Sequence, residues 1–167
     1  PLQAIYEWRG CINAFDELPD TTLCVEFYST FRIGEPACSE IKKTFGEDCW
    51  MMSKCERETT ILKCNNPSGS YVYLFRSWKS LLEEAQHIPN DLPLFLVKLK
   101  CHELEELIDN IERNLVSKNK STCQMYTIHS YKGLENDVVK VHDDIDLENE
   151  RNIHYVALTR GKSSIYH

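Results

Sequence analysis

Thr127 to Val139 reads TIHSYKGLENDVV, and Asn152 to Lys162 reads NIHYVALTRGK. The first stretch has the composition of a strand over Gln124–His129 that runs into a tight turn at Lys132-Gly133-Leu134-Glu135, after which an apolar run, Val138–Val141, begins. In the second stretch Ile153, Val156, Ala157 and the Arg160 region fall at helical spacing, so an arginine arrives near the end of a helix. A strand that delivers polar groups to a turn, followed by a helix that delivers a guanidinium, is a recurring way for α/β domains to build an anion site.

Outward from this pair, the pattern is one of alternating strands and helices. Tyr71–Phe75, YVYLF, is apolar almost without interruption, which suits an interior parallel strand, and a helix is expected from Lys79 to His87. Ala37, Ile41 and Phe45 give a buried stripe to a helix whose first turn holds Glu35 and Pro36. Leu104, Leu107, Ile108, Ile111 and Leu115 share one face of a helix over Glu103–Val116. Short strands are expected at Thr22–Tyr28, Thr60–Lys63, Leu94–Leu99 and Ser163–Tyr166, and a short helix at Cys11–Leu18, stopped by Pro19. His142–Glu150, HDDIDLENE, reads as a solvated acidic loop.

Composition bounds the function classes. The chain has 167 residues, 42% of them hydrophobic and 27% charged, enough for one domain with a substantial core. A net charge of −7 argues against general dependence on phosphate attraction, but a local basic groove is compatible with it. No stretch approaches the roughly 20 apolar residues of a membrane span. The opening Pro1–Ala4 has neither a basic region nor an apolar core, so no signal peptide is expected, and a start on proline reads as a piece of something longer. Eight cysteines fall without a C-x-x-C pair, so zinc spacing is missing, and reduced thiols in an intracellular protein (cytoplasmic or nuclear, a viral source included) are favoured over a disulfide set.

The T-x-H-x-x-K-G-L-E block followed by Y-V-A-L-T-R resembles motifs V and VI of the UvrD/Rep/PcrA-like superfamily 1 DNA helicases. Pro1–Gly10, PLQAIYEWRG, resembles motif III without its Gly-Asp half, and Ser29–Phe45, STFRIGEPACSEIKKTF, resembles motif IV. The resemblance implies an α/β, RecA-like (P-loop NTPase-type) fold with a mostly parallel sheet flanked by helices, lacking the Walker A half. Residues 1–20 would be the tail of a first RecA-like domain and 21–167 the second.

By that resemblance Arg32 and Arg160 would be arginine fingers at a γ-phosphate, with Thr159 orienting Arg160 and Gln3 adding an amide donor. Phosphoryl transfer spreads charge over equatorial oxygens, and a planar guanidinium matches them with two bonds where an ammonium offers one point charge. Phe31 would stack on adenine, Gly133 would let backbone approach the nucleotide, and Glu135 would accept from both ribose hydroxyls. Tyr6, Trp8, Thr127, His129 and Ser130 would lie along single-stranded DNA, where aromatic stacking is worth about 1–3 kcal/mol per base. Arg76 is placed either at the nucleotide cleft or in a surface ion pair.

The implied activity is ATP-dependent helicase and translocase work in repair or replication, with ATP and Mg²⁺ held mainly by a first domain and single-stranded DNA or a duplex junction as partner. Within Pro1–His167 there is no G-x-x-x-x-G-K-[ST] loop and no acidic pair after an apolar strand, so this stretch alone is expected not to hydrolyse ATP, and no metal site is expected in it. A non-catalytic nucleic-acid- or partner-binding module derived from a helicase is the alternative.

Overall fold

A computed structural model describes residues 2–6, 9–12, 16–23, 25–63 and 66–167. Five strands, β3 (Thr60–Leu62), β4 (Tyr71–Phe75), β5 (Cys123–Thr127), β6 (Asn136–Val141) and β7 (Gly161–Tyr166), form one sheet in the order β3-β7-β6-β4-β5. Every neighbouring pair in it is parallel. Two short strands, β1 (Ser29–Thr30) and β2 (Met52–Ser53), pair in parallel beside it. The fold class is therefore the expected one, α/β with a parallel sheet between helices.

The reason is legible in β4. Its side chains alternate between two covered faces, Val72 and Leu74 to one, Tyr73 and Phe75 to the other, and all four are buried. On the first face they meet Val139, Val141 and Ile165 of the neighbouring strands together with helices α1 (Ala37–Phe45), α5 (Ile128–Tyr131) and α6 (Arg151–Leu158). On the second they meet Cys123 and Met125 of β5 and helices α2 (Trp78–Ala85), α3 (Leu94–Lys100) and α4 (Glu105–Asn114). Each fully buried Leu, Ile or Phe contributes about 1.5–3 kcal/mol, so two such layers account for much of what holds the sheet.

Ends of elements follow local chemistry. Ser77 caps α2 by accepting from the Ser80 backbone N–H, and Asp144 accepts from the N–H groups of Arg76 and Ser77. Burial pushes the Asp144 carboxyl up, but those hydrogen bonds, with one from Ser80, outweigh it and hold the group below the usual carboxylate range. Ile145 is buried as well, and Glu150 takes both Nε and Nη2 of Arg76 at 2.6 Å. His142–Glu150 is thus not simply a solvated acidic loop: its acids bind the carboxyl end of β4, and Arg76 sits in an ion pair.

Three further expectations are corrected. Leu94–Leu99 is helical, because a short apolar run suits a buried strand or a helix equally; Val97 faces inward while Phe95 and Leu99 face solvent. Thr22–Tyr28 forms no strand among its described residues. Leu23, Val25 and Phe27 are 88%, 68% and 91% exposed: alternation alone makes no strand without a partner, and the first contact with β2 comes at the Tyr28 carbonyl, which accepts from the Met52 N–H. Asp16–Leu18 is turn and bend rather than the end of a helix; Asn13–Phe15 lie outside the described residues.

Cys11, Cys38, Cys49, Cys55, Cys101 and Cys123 are free thiols, and burial raises that of Cys123 to about 11. Cys24 and Cys64 lie outside the described residues. Among the described residues no helix is long and apolar enough to cross a membrane, and no group of His, Cys, Asp and Glu is arranged to hold a metal ion.

Candidate functional site

After β1 the chain turns sharply through Phe31-Arg32-Ile33-Gly34. Gly34 is required sterically: a Cβ there would lie 1.8 Å from the Arg57 carbonyl oxygen. The buried Thr59 hydroxyl accepts from the Gly34 N–H at 2.8 Å and donates to the Lys162 carbonyl at 2.5 Å, so the turn is fastened to β7. Phe31 is left 74% exposed, a flat apolar face beside the turn. Arg32 points its Nε at Glu135 Oε2, 2.5 Å away.

Glu135 stands where the turn after α5 enters β6. Gly133 has φ +94°, a conformation that disfavours side chains, but nothing lies within 4 Å of where its Cβ would be. The glycine serves the turn's conformation; the space beside it is open. The second oxygen of Glu135 faces Lys162 Nζ at 3.7 Å, Lys162 also reaches Asp137 at 3.5 Å, and Arg57 approaches Asp137 at 3.8 Å.

Arg160 closes the cluster from beneath. It is 3% exposed, donating from Nε to the Val156 carbonyl, from Nη2 to Thr159 Oγ1 at 2.9 Å, and from Nη1 to the Leu134 carbonyl. Burial lowers its affinity for the proton and Arg32 adds to that, while Tyr155, Glu135 and Tyr131 oppose it. The carbonyls at the C-terminal end of α6 favour a cation there. Arg32, Arg160 and Glu135, distant in sequence, thus converge at the amino ends of β6 and β7. With Arg57 and Lys162, four cationic side chains surround two carboxylates. That surplus of positive charge suits an anion with several oxygens, and the half-exposed Glu135 suits neighbouring hydroxyl donors.

The opposite end of the sheet carries a second set. Tyr6 donates its hydroxyl to the His129 carbonyl at 2.9 Å, its ring lies 5.7 Å from the His129 ring, and Lys132 Nζ sits 5.2 Å over it. His129 Nε2 bonds the Ile5 carbonyl. Burial foremost, with the Arg76 and Arg9 charges, lowers the His129 proton affinity against the pull of Ile5 and Glu150, so the ring is neutral near pH 7. A hollow of about 270 Å³ opens beside them, lined by Ala4, Ile5, Arg76 and Asn149 to Ile153. His129 lies in α5, not at the end of the strand, because Thr127 ends β5 and caps that helix.

The sequence-derived residues therefore separate into two groups. Phe31, Arg32, Gly133, Glu135 and Arg160 gather at one end; Tyr6, His129 and Ser130 gather at the other. Gln3 is exposed, and its carbonyl rather than its amide makes a contact, accepting from Lys132 Nζ at 2.6 Å. Thr127, expected along DNA, is buried and its hydroxyl is engaged with Ser130. Trp8 lies outside the described residues. Sequence reasoning missed Thr59, Arg57 and Lys162. Lys162, two positions from Arg160 at the head of a strand, was within reach of a charge-adjacency argument; Thr59 gave no signal.

No family model matches the chain, and no curated protein does. Among solved structures, the chain is similar to a PRRSV helicase, with 17% identity, 85% of this chain and 22% of that chain covered, and a TM-score of 0.47. It is similar to Arterivirus nonstructural protein 10, a helicase, in complex with DNA: 17% identity, 83% and 24% covered, TM-score 0.41. A third is the C-terminal domain of a possible DNA helicase from Lactobacillus plantarum WCFS1, at 11% identity, 82% and 86% covered, TM-score 0.43. The chain spans about a quarter of the length of the viral helicases it matches.

Proposed function

We propose that this chain is the second nucleotide-contacting half of an ATP-dependent DNA helicase or translocase of the UvrD/Rep/PcrA-like superfamily 1 type. The observation that carries the reading is the convergence of Arg32, Arg160 and Glu135 at one end of the sheet, with Phe31 exposed beside them. In this reading Arg32 takes phosphate oxygens, Glu135 takes ribose hydroxyls, Phe31 faces the base, and Arg160 fixes the Leu134–Glu135 turn from below. ATP and Mg²⁺ are bound jointly with a first RecA-like domain, of which residues 1–20 are the tail. Single-stranded DNA follows Tyr6, His129 and Ser130 at the other end; Trp8, outside the described residues, is assigned to the same strand from its sequence motif.

The residues present fit such a ligand in charge and in hydrogen-bonding type. A bound Mg²⁺–ATP supplies the scissile phosphoanhydride; this chain's part is to orient it and to offset charge that develops on it. Cleft closure on binding, and opening on release, would shift the two domains' DNA contacts relative to each other.

Arg32→Ala is the cleaner test, since Arg32 is partly exposed and Arg160 is buried. In the protein joined to its first domain, Arg32→Ala is expected to reduce kcat for ATP hydrolysis about 100-fold or more, with single-strand binding within about twofold of wild type. Unchanged kcat would refute the assignment. The non-catalytic module is kept as a second reading because every guanidinium nitrogen of Arg160 already has a protein acceptor, as in a purely structural arginine. DNA binding with no response to ATP in the joined protein would select it.

A further inference from the structure

Glu135 has two oxygens and two cationic partners, and the partners are held differently. Arg32 comes from a turn, with its side chain more than a third exposed. Lys162 is the second residue of β7, a strand flanked by β3 and β6, and its carbonyl is fastened by the Thr59 hydroxyl. Its ammonium reaches Glu135 Oε1 and Asp137 Oδ1, and Arg57 flanks the same Asp137 oxygen. One partner of Glu135 reaches it from a turn, more than a third exposed; the other is built into the sheet.

From this we infer that Lys162 is a positioning residue: it holds Glu135 in place and compensated when Arg32 leaves it for a phosphate, and so makes the site selective for ligands with a free cis-diol. The assignment rests on the nucleotide-site reading above. In the free protein Arg32 covers Oε2 at 2.5 Å, where a second sugar hydroxyl would have to donate. An oligophosphate beside the turn offers the guanidinium an alternative partner of higher charge. The exchange replaces Arg32–Glu135 by Arg32–phosphate and Glu135–diol. It would leave the carboxylate without a cation were Lys162 not on its other oxygen. Asp137, shared with Arg57, keeps Lys162 from following the phosphate. No covalent bond changes.

The test is competition binding, on the protein joined to its first domain, with ATP and 2′,3′-dideoxy-ATP, reading the ratio of their Kd values. Wild type is expected to prefer ATP about tenfold or more, as for hydrogen bonds to a charged acceptor. Lys162→Met is expected to bring the ratio to within about twofold of one, and Lys162→Arg to restore it. If Lys162→Met weakens both ligands equally and leaves the ratio unchanged, Lys162 contributes charge only and the inference is overturned while the nucleotide reading stands. If wild type itself shows no preference, the sugar role of Glu135 falls and that of Lys162 with it. Circular dichroism checks folding. Should Lys162→Met fail to fold, Asp137→Ala serves instead: with that carboxylate gone Lys162 is free to follow the phosphate, so the ratio is expected to fall toward one, and an unchanged ratio overturns the inference.

Discussion

His154 offers a perturbation whose size follows from the structure. It lies on the inner face of α6, 6% exposed, with its ring 5.5 Å from Phe45 and 4.8 Å from His167, and its Nε2 has no hydrogen-bond partner. Burial foremost, with the neighbouring His167, lowers its pKa from 6.5 to about 4. The unfolded chain therefore binds a proton on this group at a pH where the folded chain does not. Stability from the neutral ring is fully present above pH 6.5 and is lost as pH falls from there toward 4. A depression of about 2.5 units corresponds to about 3 kcal/mol in all, most of it lost by pH 4.5.

The assay is urea unfolding, followed by circular dichroism, of wild type and His154→Phe between pH 7.5 and pH 4.5. At pH 7.5 the two are expected within about 1 kcal/mol of each other, since phenyl fills the site and removes an unsatisfied nitrogen. On acidification both lose stability through other groups, His129 and His167 among them, whose proton affinities are also lowered by burial. The variant is expected to lose about 2–3 kcal/mol less. Parallel pH profiles for the two proteins would refute the argument that His154 is buried neutral.

Thr59→Val removes the hydroxyl between the Gly34 N–H and the Lys162 carbonyl at nearly constant volume; a loss of about 2–4 kcal/mol in urea unfolding is expected, with weaker ATP binding, from two buried groups left unpaired. Arg160→Ala leaves the Leu134 carbonyl without its side-chain donor and the Val156 carbonyl with the Thr159 hydroxyl alone; a loss of about 3–5 kcal/mol is expected, with Arg160→Lys recovering part of it, and a change under 1 kcal/mol would show that the guanidinium is not seated as described.

Which parts were legible follows from what each signal depends on. β4 and α1 were read correctly because burial on two faces or along one stripe leaves its mark in the segment's own residues. Thr22–Tyr28 was misread because a strand also needs a partner, and no segment announces its partner. Leu94–Leu99 was misread because an apolar run that short has no measurable period. At the site, the convergence of Arg32, Glu135 and Arg160 was reached through motif order rather than through any local pattern. That route names residue types but not their burial. It named Arg160 for a phosphate without showing that the guanidinium is folded onto carbonyls of its own chain, and Thr127 for DNA without showing that its hydroxyl caps a helix. Lys162 and Thr59 act through β7 and the β2–β3 connection, which pass the site only once the sheet is assembled.

The segment from Ile128 to Glu135 is one of the links between the two ends of the sheet, and its construction limits what passes along it. Thr127 is level with Phe75 in β5–β4, and Leu74 is level with Val141 in β4–β6. Asn136, where β6 begins, is therefore roughly 20 Å below Thr127 at 3.3 Å per residue. Ile128 to Glu135 must cover that drop, starting beside Tyr6 and ending between Arg32 and Lys162. Its upper half is anchored: Ile128 and Tyr131 are buried, with the Tyr131 ring 5.0 Å from Tyr126. Its lower half is held by the Leu134 N–H to the Tyr131 carbonyl and by Arg160 Nη1 on the Leu134 carbonyl. Between them lies Gly133, free of neighbours and already at positive φ. A shift of Glu135 as Arg32 exchanges partners is thus absorbed first at Gly133, and what reaches Leu134 is resisted by the Arg160–Leu134 bond before it passes to Tyr131. The buried arginine also ends the segment that begins at the hollow beside His129, through α6, so it is the point where both routes between the ends of the sheet meet.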